Sequence, residues 1–332
     1  WYFLKADGSR DTSKTGMHTG INGKTYFMNA EGVPQNGFQT VNGVAYYFDV
    51  QAGTARQLGN NWQQMNGSWY WIENGRVATG WRVINGKWYY LNPADGRMLT
   101  GFYKDATGQL FYSDGSGAML STTGWYLMNG TWYWVNGNGS LATGWINVGG
   151  TWYYMGENGA MKTGWYQVKG VWYYSNGSGA MQTGWLNRGG TWYYLTGSGA
   201  MATGWINLGG TWYYLNPSNG DMVGAGWHLI NNKWYYFDGS GAMYSNRWIG
   251  NYYVGGNGEM LTNTWVGSYW VGADGKWIPN YDPDVNANWV KSGNTWYYQR
   301  PDGSKLTNSW KRINGSWYYF GADGAMTTGW KY

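Results

Sequence analysis

The sequence predicts an all-β fold, a solenoid of stacked β-hairpins of about 20 residues each. Between Thr123 and Leu215 the pattern Thr-Gly-Trp followed by Trp-Tyr-aromatic recurs five times at a step of twenty residues. Asn-Gly or Gly-Gly commonly separates the two aromatic segments. Such pairs favour hairpins because both residues of a type I′ turn need positive φ. A short repeat of this regularity is typical of an array in which each unit buries its apolar face against the next.

The second regular copy shows how one unit is expected to fold. Trp145–Val148 is predicted as one strand, Gly149-Gly150 as the turn and Thr151–Met155 as the returning strand. Strand alternation places both tryptophans and the second tyrosine on one face, and the first tyrosine and the aliphatic side chains on the other. Because both faces are apolar, one hairpin alone is unstable in water. We therefore expect the tryptophan face of one hairpin to stack on the tyrosine face of the next.

The pattern divides the chain into four parts. Residues 1–60 keep the turns but lack tryptophan pairs, whereas residues 61–247 hold paired tryptophans, with the regular block at 123–215. Residues 248–288 contain two shortened hairpins and an inserted loop, and residues 289–332 resume the pattern and finish with a half unit. No linker separates these parts, so we expect one continuous array.

Composition and charge narrow the functional class. The 332 residues include 28 Trp and 32 Tyr but only 8 Phe, and there is no cysteine. The net charge of +5 comes without a basic cluster, so nucleic-acid binding is not favoured. No apolar run is long enough to cross a bilayer. Because Trp1–Leu4 already reads as part of a returning strand, we expect that a secretory leader has been removed.

Residues that support catalysis or metal binding in other proteins are scattered here. His18 and His228 lie in unrelated units, seven of the 13 aspartates stand in Asp-Gly turns, and the four glutamates are far apart. We therefore expect no catalytic residues, no metal site and no cofactor. The segment Asp282–Asn286 lacks the glycine and the distal glutamate of an EF-hand calcium loop, so an exposed loop is predicted there.

The preference for tryptophan and tyrosine over phenylalanine indicates that the aromatic rings form ligand-binding sites as well as a core. Packing alone does not favour the electron-rich rings so strongly. A groove between successive units can bring the faces of three rings together. Such a box suits a quaternary ammonium, held by cation–π attraction and by apolar contact with its methyl groups. It suits a sugar ring equally well.

The units resemble the cell-wall-binding repeats of choline-binding proteins of pneumococcal-type Gram-positive cocci, and in particular members built wholly of repeats. The shared pattern is Thr-Gly-Trp, Asn-Gly-x-Trp-Tyr-Tyr and Gly-x-Met, and it spans residues 61–332. The resemblance implies a secreted protein held on the cell surface, without covalent attachment, by phosphocholine of teichoic and lipoteichoic acids. It also implies sites made of both tryptophans of one hairpin, the first tyrosine of the next, and a methionine.

Carried onto this chain, the resemblance implies five choline sites in the regular block and three outside it. Those in the block are Trp125, Trp132 and Tyr153 with Leu141; Trp145, Trp152 and Tyr173 with Met161; Trp165, Trp172 and Tyr193 with Met181; Trp185, Trp192 and Tyr213 with Met201; and Trp205, Trp212 and Tyr235 with Met222. Those outside are Trp62, Trp69 and Tyr89; Trp227, Trp234 and Tyr252; and Trp289, Trp296 and Tyr318. Trp81 and Trp88 would meet Phe111 in place of tyrosine, and they are not counted.

Two further questions stay open at the level of the sequence. The irregular parts, 1–60 and 248–288, are predicted to present a second binding surface for a host protein, a host cell or a cell-wall hydrolase, as an adhesin or a regulator of autolysis would. The alternative function is a glucan- or carbohydrate-binding module, because related aromatic repeats occur in extracellular glucosyltransferases. The uniform step of twenty residues favours choline.

Overall fold

The computed structural model describes residues 2–20 and 22–329. Within these residues the protein consists of short antiparallel β-strands with no helix. Each strand pairs with its neighbour in sequence, and most sheets are two-stranded hairpins. The prediction of an all-β chain of successive hairpins is confirmed. Trp1 and the predicted C-terminal half unit lie outside the described residues.

The strands are numbered in chain order. In the N-terminal part they are β1 (Gly16–Thr19), β2 (Thr25–Met28), β3 (Gly37–Val41), β4 (Val44–Asp49), β5 (Thr54–Gln57), β6 (Trp62–Met65), β7 (Ser68–Glu73), β8 (Arg76–Val77), β9 (Gly80–Ile84), β10 (Lys87–Leu91), β11 (Gly101–Lys104) and β12 (Leu110–Ser113). The regular hairpins comprise β13 (Gly124–Met128), β14 (Thr131–Val135), β15 (Gly144–Val148), β16 (Thr151–Met155), β17 (Gly164–Val168), β18 (Val171–Ser175), β19 (Gly184–Arg188), β20 (Thr191–Leu195), β21 (Gly204–Leu208), β22 (Thr211–Leu215), β23 (Gly226–Ile230) and β24 (Lys233–Phe237). The C-terminal strands are β25 (Arg247–Ile249), β26 (Tyr252–Val254), β27 (Thr264–Val266), β28 (Tyr269–Val271), β29 (Trp277–Ile278), β30 (Asn288–Ser292), β31 (Thr295–Gln299), β32 (Ser309–Ile313) and β33 (Ser316–Phe320).

The turns have the backbone that the sequence predicts. Gly149 and Gly150 have φ of 60° and 86°, and Asn85 and Gly86 have φ of 50° and 76°. These left-handed values match the twist of the flanking strands. In the register that results, Trp145 stands opposite Tyr154. The side chains are therefore sorted between the two faces as expected.

The chain forms two compact units. One contains the residues up to Leu186 together with Leu195–Met201, and the other contains Asn187–Tyr194 and the residues from Ala202 onward. In both units the core is a series of small clusters, because each hairpin contributes only a few buried side chains. One such cluster consists of Ile230, Tyr235 and Phe237.

In most hairpins the last residue of the returning strand is the most deeply buried position, although Asp49 is exposed and Gln299 is half-buried there. In the first unit these fully buried residues are Leu91, Val135, Met155 and Leu195, and in the second unit they are Leu215, Phe237, Val254, Val271 and Phe320. Burying one such side chain stabilises the fold by roughly 1.5–3 kcal/mol. The repeat therefore adds a similar increment of core with each hairpin.

Two hairpins carry a serine at this buried position. Ser113 and Ser175 are both fully buried, and each bonds to a tyrosine of the opposite strand of its own hairpin. The hydroxyls of Tyr103 and Ser113 lie 3.0 Å apart, and those of Tyr166 and Ser175 lie 2.9 Å apart. A buried hydroxyl is costly unless it is hydrogen-bonded, so the tyrosine and the serine depend on each other.

The loops after the hairpins connect one hairpin to another. The loop begins with a turn in which a side-chain oxygen accepts backbone N–H groups, as Asp238 does from Ser240 at 2.8 Å and from Ala242 at 3.1 Å. It ends with the N–H of Met243 donating to the carbonyl oxygen of Trp212 at 2.8 Å. Successive hairpins are thus linked by backbone hydrogen bonds as well as by side-chain packing.

The inserted loop differs from the exposed segment that the sequence predicted. Val285 is exposed, but the Asp284 side chain is only 10% exposed. Its two oxygens lie 2.7 Å from Nε of Arg300 and 2.7 Å from Nζ of Lys311, and Lys311 also reaches Asp282 at 3.3 Å. The loop is therefore fastened to the following hairpins by ion pairs, which sequence spacing did not reveal.

Candidate functional site: aromatic grooves between hairpins

A groove of three rings lies between two successive hairpins of the regular block. The centroids of the Trp145 and Trp152 rings are 6.5 Å apart at an angle of 84°, and Tyr173 of the next hairpin lies 4.9 Å from Trp145 at 65°. Trp145 is half-buried and braced by Tyr154 at 5.0 Å. Trp152 is 46% exposed. An exposed large ring on a rigid strand is available to a ligand.

Three other predicted groups have the same geometry. In each of them the two tryptophans stand nearly perpendicular with centroids 6.2–6.4 Å apart, and the tyrosine lies 4.7–4.9 Å from the first tryptophan. These groups are Trp125, Trp132 and Tyr153; Trp205, Trp212 and Tyr235; and Trp289, Trp296 and Tyr318. The last groove has a feature that the sequence did not indicate, because Nζ of Lys291 lies 5.5 Å from the Trp296 ring.

In the structure, the methionine next to each tryptophan pair comes from one repeat later than the sequence predicted. Met161 was expected beside Trp145 and Trp152, but its N–H donates to the carbonyl of Trp132 at 2.9 Å. Met181 instead reaches Trp152, with an N–H to carbonyl distance of 2.8 Å. The reason is that the loop after a hairpin both bridges the end of its own returning strand, at Met155 and Met161, and reaches back to the previous hairpin.

The same correction applies through the rest of the block. The N–H donors to the second tryptophan of each pair are Met201 to Trp172, Met222 to Trp192 and Met243 to Trp212, each at 2.8 Å. The predicted partners Met181 of Trp172, Met201 of Trp192 and Met222 of Trp212 are thus each one repeat early.

Leu141 belongs to a different and degenerate groove. Its N–H donates to the carbonyl of Leu110 at 2.7 Å, and it is buried with Tyr133 in one cluster. Tyr133 lies 5.0 Å from Phe102. Phe102 and Leu110 thus take the places of the two tryptophans, and aliphatic side chains fill the space between them.

A third repeat closes each groove through a glycine. Gly199 has φ of +82°, and a Cβ there would overlap the sulfur of Met181. Gly179 stands in the same relation to Met161. The glycine of the Gly-x-Met loop is therefore required both for its backbone conformation and for the space occupied by the methionine of the preceding loop.

Two grooves outside the regular block form distinct cavities. Trp62 and Trp69 line one of about 200 Å³ together with Tyr89 and Met98, and the Trp62 and Tyr89 rings are 5.0 Å apart. The second, of about 300 Å³, is lined by Trp227, Trp234, Tyr252, Met260 and Asp274. Both contain the three rings that the sequence predicted and a methionine from the loop after the next hairpin.

Two predicted groups are divided between the compact units. The residues of Trp165, Trp172 and Tyr193, and those of Trp185, Trp192 and Tyr213, do not all fall in one unit, so their grouping stays a prediction. Within the first unit, Trp165 and Trp172 have the usual perpendicular arrangement, with centroids 6.3 Å apart.

Models of known protein families match much of the chain. Models described as a choline-binding repeat match residues 78–123, 162–203, 183–227 and 202–248, and 242–277. A model described as a putative cell wall binding repeat matches residues 143–161, 288–305 and 308–326. The structure of CbpJ from Streptococcus pneumoniae TIGR4 is 30% identical and covers 81% of this chain and 100% of its own, with a TM-score of 0.57.

The chain belongs to the choline-binding repeat proteins. Choline binding protein F from Streptococcus pneumoniae is 27% identical, with 82% of this chain and 99% of its own covered and a TM-score of 0.53. The same values hold for its crystal structure in the presence of a tetrasaccharide-pentapeptide peptidoglycan analogue. No sequence among the curated proteins matches the chain significantly.

The doubtful pair Trp81 and Trp88 does meet Phe111, at 4.7 Å from Trp81. This choline-binding repeat has an acidic neighbour, because Nε1 of Trp81 donates to Asp105 at 3.3 Å. Burial acts to raise the pKa of Asp105, but hydrogen bonds from Thr107, Trp81 and backbone groups outweigh it and lower the pKa below its usual value. The groove is therefore lined by a carboxylate that stays ionised.

Residues 248–288 hold aromatic contacts that sequence reasoning missed. The shortened hairpin of Trp248 lacks a second tryptophan, but Trp277 takes the methionine position, with its N–H 2.7 Å from the carbonyl of Asn251. Trp248 and Trp277 each lie 5.6 Å from Tyr269. The equivalence with Gly-x-Met was hidden because Trp277 stands where the other loops carry methionine.

Each of the two histidines lies against a backbone carbonyl. His228 lies 3.0 Å from the carbonyl oxygen of Gly224, and His18 lies 2.6 Å from that of Thr15. Among residues 2–20 and 22–329 no three His, Asp or Glu side chains come together in a group that could hold a metal ion. Nor does any helix in these ranges have the length and apolarity to cross a membrane.

One cavity of the first unit is not an aromatic groove. It measures about 650 Å³ and is lined by polar and aliphatic residues that include Lys104, Gln109, Thr143 and Glu157. No tryptophan lines it. The grooves of paired indoles, and not this cavity, are the predicted places for a quaternary ammonium.

Proposed function

We propose that this chain is a non-catalytic surface protein held on the cell wall, without covalent attachment, by phosphocholine of teichoic and lipoteichoic acids. The observation that carries the proposal is the repeated groove of two perpendicular tryptophans, a tyrosine and a methionine, open on the side of an exposed indole. The groove of Trp145, Trp152 and Tyr173 is the best-defined example. The structure of choline binding protein F with a peptidoglycan analogue supports a role on walls.

The strength of one groove suits many weak contacts. A cation–π contact contributes roughly 0.5–2 kcal/mol, so three rings and the burial of methyl groups give about −4 kcal/mol, a millimolar dissociation constant. One such site does not hold a protein on a wall. Several sites that face a polymer with repeated choline raise the avidity by orders of magnitude, since each further contact is intramolecular.

Retention on purified choline-bearing walls tests this function. Free choline at millimolar concentration is expected to release the protein, whereas ethanolamine at the same concentration leaves it bound, because a primary ammonium lacks the methyl groups that fill the aromatic box. Sodium chloride of equal ionic strength is the control for charge. Release by all three salts alike, or by none, would contradict the proposal.

The irregular parts supply a second binding surface in this proposal. Residues 1–60 hold β1–β5 and no tryptophan pair. In residues 248–288 the hairpins are shortened, and Trp270 stacks on Tyr281 of the inserted loop at 4.4 Å and 7°. A host protein, a host cell or a cell-wall hydrolase is the proposed partner. Wall-bound full-length protein should then change cell attachment or wall hydrolysis, and the change should disappear when choline releases it.

A glucan-binding function is the second candidate, because an exposed indole such as Trp152 also stacks on a sugar ring. Titration of tryptophan fluorescence with choline and with dextran separates the two. A response to dextran without a response to choline would reverse the order of the proposals.

A further inference from the structure

One groove of the second unit contains a carboxylate. Asp274 lines the same cavity as Trp227, Trp234, Tyr252 and Met260. It comes from the loop that closes the groove, since a Cβ at the adjacent Gly275 would meet the side chain of Met260. The packing of this loop therefore holds Asp274 at the groove.

The neighbouring groove provides a matched comparison within the same unit. Trp205, Trp212 and Tyr235 form it, and Met243 lies against Gly258 in the same way that Met260 lies against Gly275. The residue before Gly258 is Asn257. Before the closing glycine the two grooves differ by the neutral amide of Asn257 against the carboxylate of Asp274. After this glycine they differ by Glu259, which is paired with Lys233, against Lys276.

The residue before the closing glycine differs between repeats. Where the glycine lies against a methionine of another tryptophan groove, this residue is neutral, as in Ser116, Asn138, Ser178, Ser198 and Ser240, whereas Asp95, Asp302 and Asp323 precede glycines that meet other side chains. Asp274 is thus unusual among the residues that close a tryptophan groove.

The negative charge of Asp274 has no opposite charge beside it among the described residues. One oxygen accepts the N–H of Lys276 at 3.0 Å, and no described basic side chain forms an ion pair with it. Lys233 and Glu259, which stand next to Trp234 and Met260 in the sequence, form an ion pair with each other at 2.7 Å. A cation seated among the three rings therefore faces an unpaired carboxylate.

We propose that Asp274 makes the groove of Trp227, Trp234 and Tyr252 selective for a quaternary ammonium without a neighbouring anion, such as choline itself, over a phosphate ester of choline. The inference rests on the proposed function, because it assumes that the aromatic grooves bind trimethylammonium groups. A carboxylate attracts the ammonium but repels a phosphate only two carbon atoms away from it. The neighbouring groove, closed by Asn257, lacks this discrimination.

Methionine methyl NMR on the full chain tests the proposal one groove at a time. Met260 and Met243 report the two grooves in the same sample, and single substitutions by leucine assign their signals. In a choline titration at low salt the Met260 signal should saturate at about fivefold lower concentration than that of Met243, the upper end of what an exposed ion pair contributes. With phosphocholine this advantage should vanish.

Two reciprocal variants complete the test. Asp274→Asn should remove the advantage of the Met260 groove for choline and leave the Met243 curve unchanged, whereas Asn257→Asp should transfer the advantage to the Met243 groove. Both effects should shrink at high salt. If both signals respond to choline but neither variant changes the ratio of choline to phosphocholine affinity, the inference about Asp274 fails. If neither signal responds to choline, the proposed function fails.

Discussion

The backbone N–H of Met181 donates to the carbonyl oxygen of Trp152 at 2.8 Å, although a whole repeat lies between the two residues. Gly199 of the following loop then lies against the side chain of Met181. A groove is therefore built from three consecutive repeats, which supply the indole pair, the tyrosine and methionine, and the closing glycine. A substitution in the third repeat should thus change the ligand affinity of the groove formed by the tryptophans of the first.

Gly199→Ala is expected to weaken choline binding at the groove of Trp145 and Trp152 at least tenfold, because the new Cβ displaces Met181 from the floor of the groove. Gly184→Ala is the matched control in the same repeat. Gly184 also has a positive φ, of +78°, but its Cβ would meet open space, so it introduces the backbone strain without the overlap. Equal loss of binding in both variants, measured by the Met181 methyl signal, would show that strain alone is responsible.

Trp152→Ala should abolish binding at the same groove and leave the hairpins elsewhere folded, since coupling in a repeat array is between neighbours. Trp152 is exposed and contributes little to the core, and we expect a loss of free energy of unfolding of no more than about 1 kcal/mol. Tyr173→Phe keeps the ring and should retain most of the affinity. Unchanged occupancy of this groove in a choline-soaked crystal of Trp152→Ala would refute the assignment.

The period and the hairpin turns could be predicted from the sequence because both are local. Positive φ at Gly149 and Gly150 follows from the residue type, and the register of Trp145 opposite Tyr154 follows from the turn. The pairing of tyrosine with the preceding tryptophans required only the assumption that successive hairpins stack.

The course of the loops could not be predicted in the same way. The position of Met181 depends on the direction in which a glycine-rich loop crosses its neighbour, and side-chain alternation says nothing about that. Trp277 was missed as a methionine equivalent because the residue type differs and the surrounding hairpins are shortened. The ion pairs of Asp284 with Arg300 and Lys311 join residues from three repeats, and no short-range pattern reports them.

The ion pairs of the inserted loop should contribute to local stability. Asp284→Asn leaves Arg300 and Lys311 without their common partner, and we expect a loss of about 2 kcal/mol, in the range for hydrogen bonds to charged groups. Asp323→Asn is the control, because Asp323 accepts only a backbone N–H of its own turn, from Ala325, and an amide oxygen can replace it. Amide exchange in β30–β33 is the measurement, and equal protection in both variants would contradict the prediction.

Acid should loosen the same loop. The N–H of Asp284, and then Lys311, lower the pKa of Asp282 below its ordinary value of 3.8. A lowered pKa in the folded state means that the stabilising contribution is present above the ordinary value and is lost as the pH falls through the lowered one. Exchange in β30–β33 should therefore accelerate below about pH 4, and Lys311→Met should reduce this dependence. An acid response that Lys311→Met leaves unchanged would assign it to other carboxylates.

Alkali should destabilise the first unit through Tyr103. Burial raises the pKa of Tyr103 to about 12 from an ordinary 10.0. Between these values the unfolded chain loses a proton that the folded chain keeps, so the free energy of unfolding falls by about 1.4 kcal/mol per pH unit from this residue. Because the chain has many tyrosines, the difference between variants is the informative quantity.

The double variant Tyr103→Ile with Ser113→Leu removes the phenol together with its hydroxyl partner, and it installs the pair that another hairpin uses at Ile206 and Leu215. Its stability near neutral pH should stay within about 1 kcal/mol of the parent, since apolar groups of suitable volume replace a satisfied hydrogen bond. Its loss of stability from pH 10 to 12, from denaturant midpoints, should be smaller. Tyr103→Phe alone should be less stable at all pH values, because it leaves the hydroxyl of Ser113 buried without its partner. An identical alkaline slope in the parent and the double variant would remove Tyr103 as the cause.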